Sequence, residues 1–190
     1  MNKFFTIPNL LTVFRIILIP FFVILYFNKR VENNYWYATG ILVLSGFTDI
    51  LDGIIARNFN MISNFGKVLD PIADKLSQAS VLFCLCFDHP IIIPMMIALV
   101  VKELFMLIGA AIMYKHGLRP FPAKWWGKLS TVIIFCTIFV FLLSNIFAFI
   151  PQLLSYTLAC LSVLSMIFSL VNYILAFLNI KKQGELTIKN

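Results

Sequence analysis

Four of the eight acidic residues in this chain of 190 fall in the single stretch Asp49–Asp74. They are written Asp49-x-x-Asp52-Gly53-x-x-Ala56-Arg57, then eight residues, then Gly66-x-x-x-Asp70-x-x-x-Asp74. Residues three or four apart share a face of an α-helix, so Asp49 should project with Asp52, and Asp70 with Asp74. With Asn58–Lys67 as the connection of a hairpin, the two carboxylate pairs are expected to face each other across one cavity. Four carboxylates so close cannot all stay ionised without counter-charge. Two divalent cations balance them in formal charge, and clustered carboxylate oxygens suit hard ions such as Mg²⁺, Mn²⁺ or Ca²⁺. Paired metals recur in phosphoryl chemistry, and Arg57, Lys67 and Lys75 add positive groups suited to a bound phosphate.

The residues between the acids fit the same picture. Gly53, Ala56 and Gly66 would let a bulky or phosphorylated ligand approach the backbone, although each taken singly is better read as a small residue in close helix packing. Pro71 follows Asp70, and two placements are open. Either the helix starts near Asp70 with Pro71 in its first turn, or it starts earlier and the proline kinks it beside the carboxylates. The plainer reading of the acids is an ion-pair network inside a membrane; four at helical spacing in one hairpin weigh against it, because ionisable residues in such segments mark function.

The elements that must position these acids are almost entirely apolar. With 61% apolar residues, 12% charged, 20 Phe and a mean hydropathy of +0.95, the chain departs from soluble composition. A bilayer crossing takes about 20 apolar residues. The runs near Leu10–Phe27, Trp36–Ile55, Asp70–Phe87, Ile91–Tyr114, Leu129–Ile150 and Leu153–Ile180 therefore predict an all-α integral membrane protein of six transmembrane helices, one domain over residues 1–190. The first run is long, contains Arg15 and lacks a small-residue cleavage site, so it reads as a retained helix rather than a signal peptide.

Six crossings put both termini on one side. That side collects Lys3, Arg57, Lys67, Lys75, Lys115, Arg119, Lys124, Lys128, Lys181, Lys182 and Lys189, against Lys29 and Arg30 on the other, where Glu32 offsets them in part. By the positive-inside rule the first side is cytoplasmic, and the polar cavity of the aspartates opens there. The net charge of +7 is thus assigned to topology and anionic lipid, with no nucleic-acid partner. Cys84, Cys86, Cys136 and Cys160 lie in apolar runs without metal or redox spacing, and His89 and His116 are single loop residues; no chemistry is assigned to them.

The whole acidic string, eight-residue spacer included, resembles the signature of the CDP-alcohol phosphotransferase family at every fixed position. The resemblance implies an enzyme that moves a phosphatidyl or related group from a CDP-linked lipid to an alcohol and releases CMP. It implies that Asp49, Asp52, Asp70 and Asp74 bind one or two ions, Mg²⁺ or Mn²⁺, with Asp74 also the general base. Gly53, Ala56, Arg57, Ser63 and Gly66 would then serve CDP-diacylglycerol, and a homodimer in the bacterial cytoplasmic membrane is expected. The segments Pro8–Ile16 and Asn64–Lys75 are similar to those of the phosphatidylglycerophosphate synthase branch, whose acceptor is glycerol 3-phosphate. Related synthases that accept phosphatidylglycerol, forming cardiolipin, share much of this text, and serine or inositol phosphate are further acceptors to weigh.

An anionic acceptor needs cations beyond those serving the nucleotide. Lys102, before Glu103, and Lys128, in Trp126-Gly127-Lys128, are the candidates, with Lys124 and Arg119 behind them; pairing with a neighbour or flanking a helix is the plainer reading. Arg15 lies one or two turns into the first crossing, where a charge is costly unless it lines a cavity or snorkels. Lipid phosphate and the acidic cluster are both open to it. Asn9 and Thr12 precede it at helical spacing and suit either a nucleotide pocket or, for Asn9, a helix cap. An ion transporter would show the acidic motif repeated in both halves, and nothing after Ile91 repeats it. An inactive scaffold has no use for four clustered charges.

Overall fold

The first apolar run folds as α1, Ile7–Phe27, and its buried positions include Asn9, Thr12, Arg15, Leu18, Phe22 and Tyr26. Steps of three and four keep these on one face. Leu10, Phe14, Ile17, Phe21 and Ile24 point outward and are equally apolar. The helix therefore inverts the soluble pattern: its polar side chains are inside and its outer surface is built for lipid.

The computed structural model describes residues 7–58, 66–115 and 125–188. After α1 come α2 (Asn34–Asn58), α3 (Gly66–Asp88), a 3₁₀ turn (Pro90–Ile92), α4 (Ile93–Lys115), α5 (Trp125–Ile146) and α6 (Gln152–Ile188). No strand occurs among the described residues. Each expected crossing corresponds to one helix, with ends shifted. The largest extension is α6, which runs to Ile188 rather than Ile180.

Five of the helices are long and apolar enough to span a bilayer: Pro8–Phe27, Asn34–Ile55, Pro90–Met113, Trp125–Ile146 and Gln152–Leu178. The chain is an all-helical integral membrane protein. α3 is 23 residues long but does not reach the same standard of apolarity. Lys67, Asp70, Asp74 and Lys75 stand in its first half, so the residues that could do chemistry also lower its affinity for hydrocarbon.

The described residues divide into two units, one running up to Pro90 and joined by Phe141–Ile150, the other of Ile91–Val140 and the residues from Pro151 onward. In the first unit α1 packs along both α2 and α3. The α1–α2 turn holds Asn33 at a positive φ of 61°, a conformation asparagine tolerates. Asn34 then donates from Nδ2 to the Tyr26 carbonyl at 2.8 Å, satisfying an otherwise orphaned group in the last turn of α1.

In the second unit α4 packs against α6. Phe105 and Phe177 meet edge to face at 6.5 Å, and Phe177 also reaches Gly109. α5 meets α6 through the buried hydroxyl pair Thr137 and Ser162, 2.7 Å apart, a hydrogen bond of the kind that joins helices where water is absent. One turn from the start of α5, Gly127 lies against Tyr173. A Cβ added there would stand 2.5 Å from the phenol oxygen.

Candidate active site

The polar stripe of α1 is the organising element of the site. Arg15 sends Nη2 to Asp49 Oδ1 at 2.5 Å and to Asp52 Oδ2 at 2.6 Å, and Nη1 to Asp74 Oδ1. One guanidinium therefore ties the carboxylates of α2 to that of α3. One turn earlier, the Thr12 hydroxyl lies 2.5 Å from Asp70 Oδ1 and 3.1 Å from the Pro8 carbonyl. With one proton to give, Thr12 can donate to only one of them at a time. All four acids of the motif are thus engaged by α1, three through charge and one through a hydroxyl.

Exposure grades the cluster. Arg15 is 2% exposed and Asp52 is buried, whereas the side chains of Asp49 and Asp74 are 46% and 50% exposed. The buried pair forms a floor and the half-exposed pair a mouth. One turn deeper along the same helices, Leu18, Phe22, Ile41, Leu42 and Val81 line a small apolar pocket edged by Ser45, Ser77 and Ser80. Apolar packing beneath an ionic cluster limits water there and strengthens its electrostatics.

The expected convergence of Asp49, Asp52 and Asp74 is present, and among the described residues these three carboxylates meet through Arg15. The reason is the position of α1, which packs along both helices and carries its cation to the place where they come together. Among the described residues no three acidic, histidine or cysteine side chains form a ready cage for an ion. Their oxygens point instead at guanidinium nitrogens. As a donor set they still fit a hard divalent cation, being carboxylate oxygens on adjacent turns with two partly open.

The other candidates are distributed as follows. Gly53 is half-buried beside Asp52, and Gly66 is buried at the first position of α3. The side chains of Ala56 and Arg57, and Ser63 as a whole, lie outside the described residues. Of the two placements for Pro71, the earlier helix start is found. Gly66 opens α3, and Pro71 sits inside it, removing the backbone bond that would reach the carbonyl at position 67.

Lys102 is 5% exposed and lies 3.3 Å from Ser130 Oγ and 3.8 Å from a Glu103 oxygen. Ser130 in turn donates to the Gly127 carbonyl. Lys128 is exposed in the first turn of α5, and Arg119 and Lys124 lie outside the described residues.

Residues 5–178 match the family described as CDP-alcohol phosphatidyltransferase, a span that contains every helix that bears on the site. The chain belongs to the CDP-alcohol phosphatidyltransferase family. Among relatives in the CDP-alcohol phosphatidyltransferase family, a Haemophilus influenzae protein named CDP-diacylglycerol--glycerol-3-phosphate 3-phosphatidyltransferase is 38% identical over 132 residues, 67% of this chain and 70% of that one. A protein of the same name from Pseudomonas fluorescens is 41% identical over 83 residues, 44% of this chain and 42% of its own. A cardiolipin synthase (CMP-forming) from Streptomyces coelicolor is 33% identical over 133 residues, 68% of this chain but 61% of its own length.

Two residues escape motif reading in this CDP-alcohol phosphatidyltransferase. Gln78 is 7% exposed and its Nε2 has no partner among the described residues; the same holds for Ser77 Oγ. They stand three and four positions after Asp74, on its side of α3. Their signal was a polar pair inside an otherwise apolar run.

Proposed function

We propose that the chain transfers the phosphatidyl group of CDP-diacylglycerol to the hydroxyl of glycerol 3-phosphate, giving phosphatidylglycerophosphate and CMP. The observation that carries this reading is the meeting of Asp49, Asp52 and Asp74 at one point of the first unit, in a chain whose family and relatives name that chemistry. Asp74, half-exposed at the mouth, takes the proton of the acceptor hydroxyl as its oxygen attacks the phosphorus attached to diacylglycerol. The bond from that phosphorus to the bridging oxygen of CMP breaks, and the charge that develops leaves with CMP. Mg²⁺ or Mn²⁺, two ions held by Asp49, Asp52, Asp70 and Asp74, supplies stabilisation of that charge when bound.

Gly53, Ala56, Arg57, Ser63 and Gly66 are proposed to border the nucleotide, and Lys102, Lys128, Lys124 and Arg119 the acceptor phosphate. The remaining parts of the proposal are six crossings including α3, one domain over residues 1–190, a homodimer, and a bacterial cytoplasmic membrane with the carboxylates on the cytoplasmic side. The excess of Lys and Arg on that side supports the orientation.

A second reading is favoured by one observation. Lys102 is engaged by Ser130 and Glu103 inside the second unit, which suits a structural lysine and so weakens the case for an anionic small acceptor. The acceptor would then be phosphatidylglycerol, as in the relative named cardiolipin synthase. CMP release by purified protein from CDP-diacylglycerol with Mg²⁺ or Mn²⁺, compared across glycerol 3-phosphate, phosphatidylglycerol, serine and inositol phosphate, tests both. Release that depends on metal and on glycerol 3-phosphate is expected. Release with phosphatidylglycerol alone overturns the acceptor, and no release with any acceptor overturns the reaction.

A further inference from the structure

Arg15 occupies an expensive position. A guanidinium 2% exposed, in a helix whose outward residues are apolar, carries a large desolvation cost. Contact with Asp49, Asp52 and Asp74 offsets it. These are also carboxylates proposed above to hold divalent cations, and the inference rests on that reading.

The two demands compete for the same carboxylates, each of which has one further oxygen to offer. Oxygens of Asp49 and Asp52 at 2.5 and 2.6 Å from Nη2 are committed to that nitrogen. Mg²⁺ needs oxygens at about 2.0–2.1 Å in near-octahedral array, and an ion seated among them would stand at contact distance from a like charge. Arg15 Nε is buried with no hydrogen-bond partner among the described residues, so one donor of the guanidinium group is unspent by them. The side chain is held by charge rather than by full hydrogen bonding, and charge is what an incoming cation replaces.

We propose that Arg15 is an exchangeable counter-ion: it closes the carboxylate cluster when divalent cations are absent and yields its carboxylate partners as they are loaded. The half-exposed Asp49 and Asp74 are the points of entry, because they face outward while Asp52 and Arg15 form the floor. Metal-free protein is then folded and closed rather than open and self-repelling. Its apparent affinity for cations is the difference between two pairings of the same oxygens. A guanidinium that acted as a fixed strut would give the opposite dependence, since its removal would loosen the carboxylates and weaken cation binding.

The test is Mn²⁺ binding to purified protein in lipid nanodiscs, read from the electron paramagnetic resonance of free Mn²⁺. Arg15→Met should bind Mn²⁺ about tenfold more tightly than wild type, the scale of one lost charge-assisted contact, and Arg15→Lys should fall between. In chelator, the melting temperature of Arg15→Met should drop, and Mn²⁺ should restore it by a larger increment than it adds to wild type. Should Arg15→Met fail to fold, wild type and Arg15→Lys carry the test. With ¹⁵N-labelled arginine, the Nε–H signal that is missing from Arg15→Lys should shift over the Mg²⁺ range that displaces bound Mn²⁺. Mn²⁺ bound equally or more weakly by the variant, or an unmoved arginine signal with Mg²⁺ bound, overturns the exchange and leaves the metal site standing. No Mn²⁺ bound by folded wild type overturns the metal site and the exchange together.

Discussion

At one end of the α1–α2–α3 unit Arg15 faces three carboxylates; at the other Tyr26 faces one. Tyr26 donates to Asp88 Oδ2 at 2.6 Å, Tyr35 donates to the same oxygen at 3.0 Å, and Asn145 donates to the Tyr26 phenol oxygen at 3.2 Å. His89 closes the set through Asn145 Oδ1 at 2.7 Å. Rings of Tyr26, Tyr35, Phe27 and Phe87 pack edge to face around it. Here a single carboxylate is met by neutral donors, enough to hold it and with no call for a further cation. At the Arg15 end three carboxylates share one guanidinium, an ionic arrangement in which an added cation can compete for the same oxygens. The same helices therefore carry a closed polar knot at one end and an ionic cluster at the other, and the difference lies in whether the donor is neutral or charged rather than in the number of polar residues.

The comparison breaks most visibly at Asp74. Asp74→Asn keeps the side chain's shape and removes its basicity, so turnover measured as CMP release should fall by about 10²–10⁴-fold in protein that still folds, with some stability lost through the weakened Arg15 contact. If the far end is only structural, Asp88→Asn should leave turnover within about twofold of wild type in the same assay. A large loss there would make both ends functional and dissolve the contrast.

Tyr26→Phe tests the knot from its centre. The phenol is buried and joins Asp88 to Asn145, so its loss leaves both short of a partner and should cost about 1–2 kcal/mol of stability. Unfolding measured in detergent micelles checks this, and an unchanged stability would mean that ring packing alone holds that end. Lys102→Met should distinguish an acceptor site from a structural lysine: a rise in KM for glycerol 3-phosphate at constant stability indicates the first, and a loss of stability at constant KM the second.

The smallest effect is expected at Thr12. Thr12→Val preserves volume and deletes the bond to Asp70, freeing a carboxylate that is not paired to Arg15. A change of only a few-fold in Mg²⁺ dependence is expected, the scale of one neutral hydrogen bond. A loss as large as that of Asp74→Asn would move Asp70 from the edge of the site to its centre.

Much of this was legible in the chain. The acids announced themselves because helical spacing puts Asp49 with Asp52 and Asp70 with Asp74 whatever surrounds them. The helices were legible because lipid demands continuous apolar runs. Arg15 was visible as an anomaly, yet its partners were not, because they lie on two other helices and no local pattern reports a meeting of three elements. Pro71 left two helix starts open for the same reason. The far knot was invisible: Tyr26, Tyr35, Asp88 and Asn145 are unremarkable singly, and His89 gained a role only through Asn145. Pairing of Lys102 with its neighbour Glu103 was legible in the sequence, whereas the contact with Ser130, on another helix, was not.

The weak apolarity of α3 has a consequence for how the protein is made. A segment bearing Asp70 and Asp74 in its first half is a poor candidate to enter hydrocarbon by its own composition, and the residue that neutralises Asp74 belongs to α1, which leaves the ribosome before it. The cation is therefore already in place when the anions arrive. If α3 crosses as proposed, its insertion is an act of assembly rather than of partition, and replacing Arg15 by an apolar residue should slow that step in the nascent chain without preventing it, long before any substrate is met.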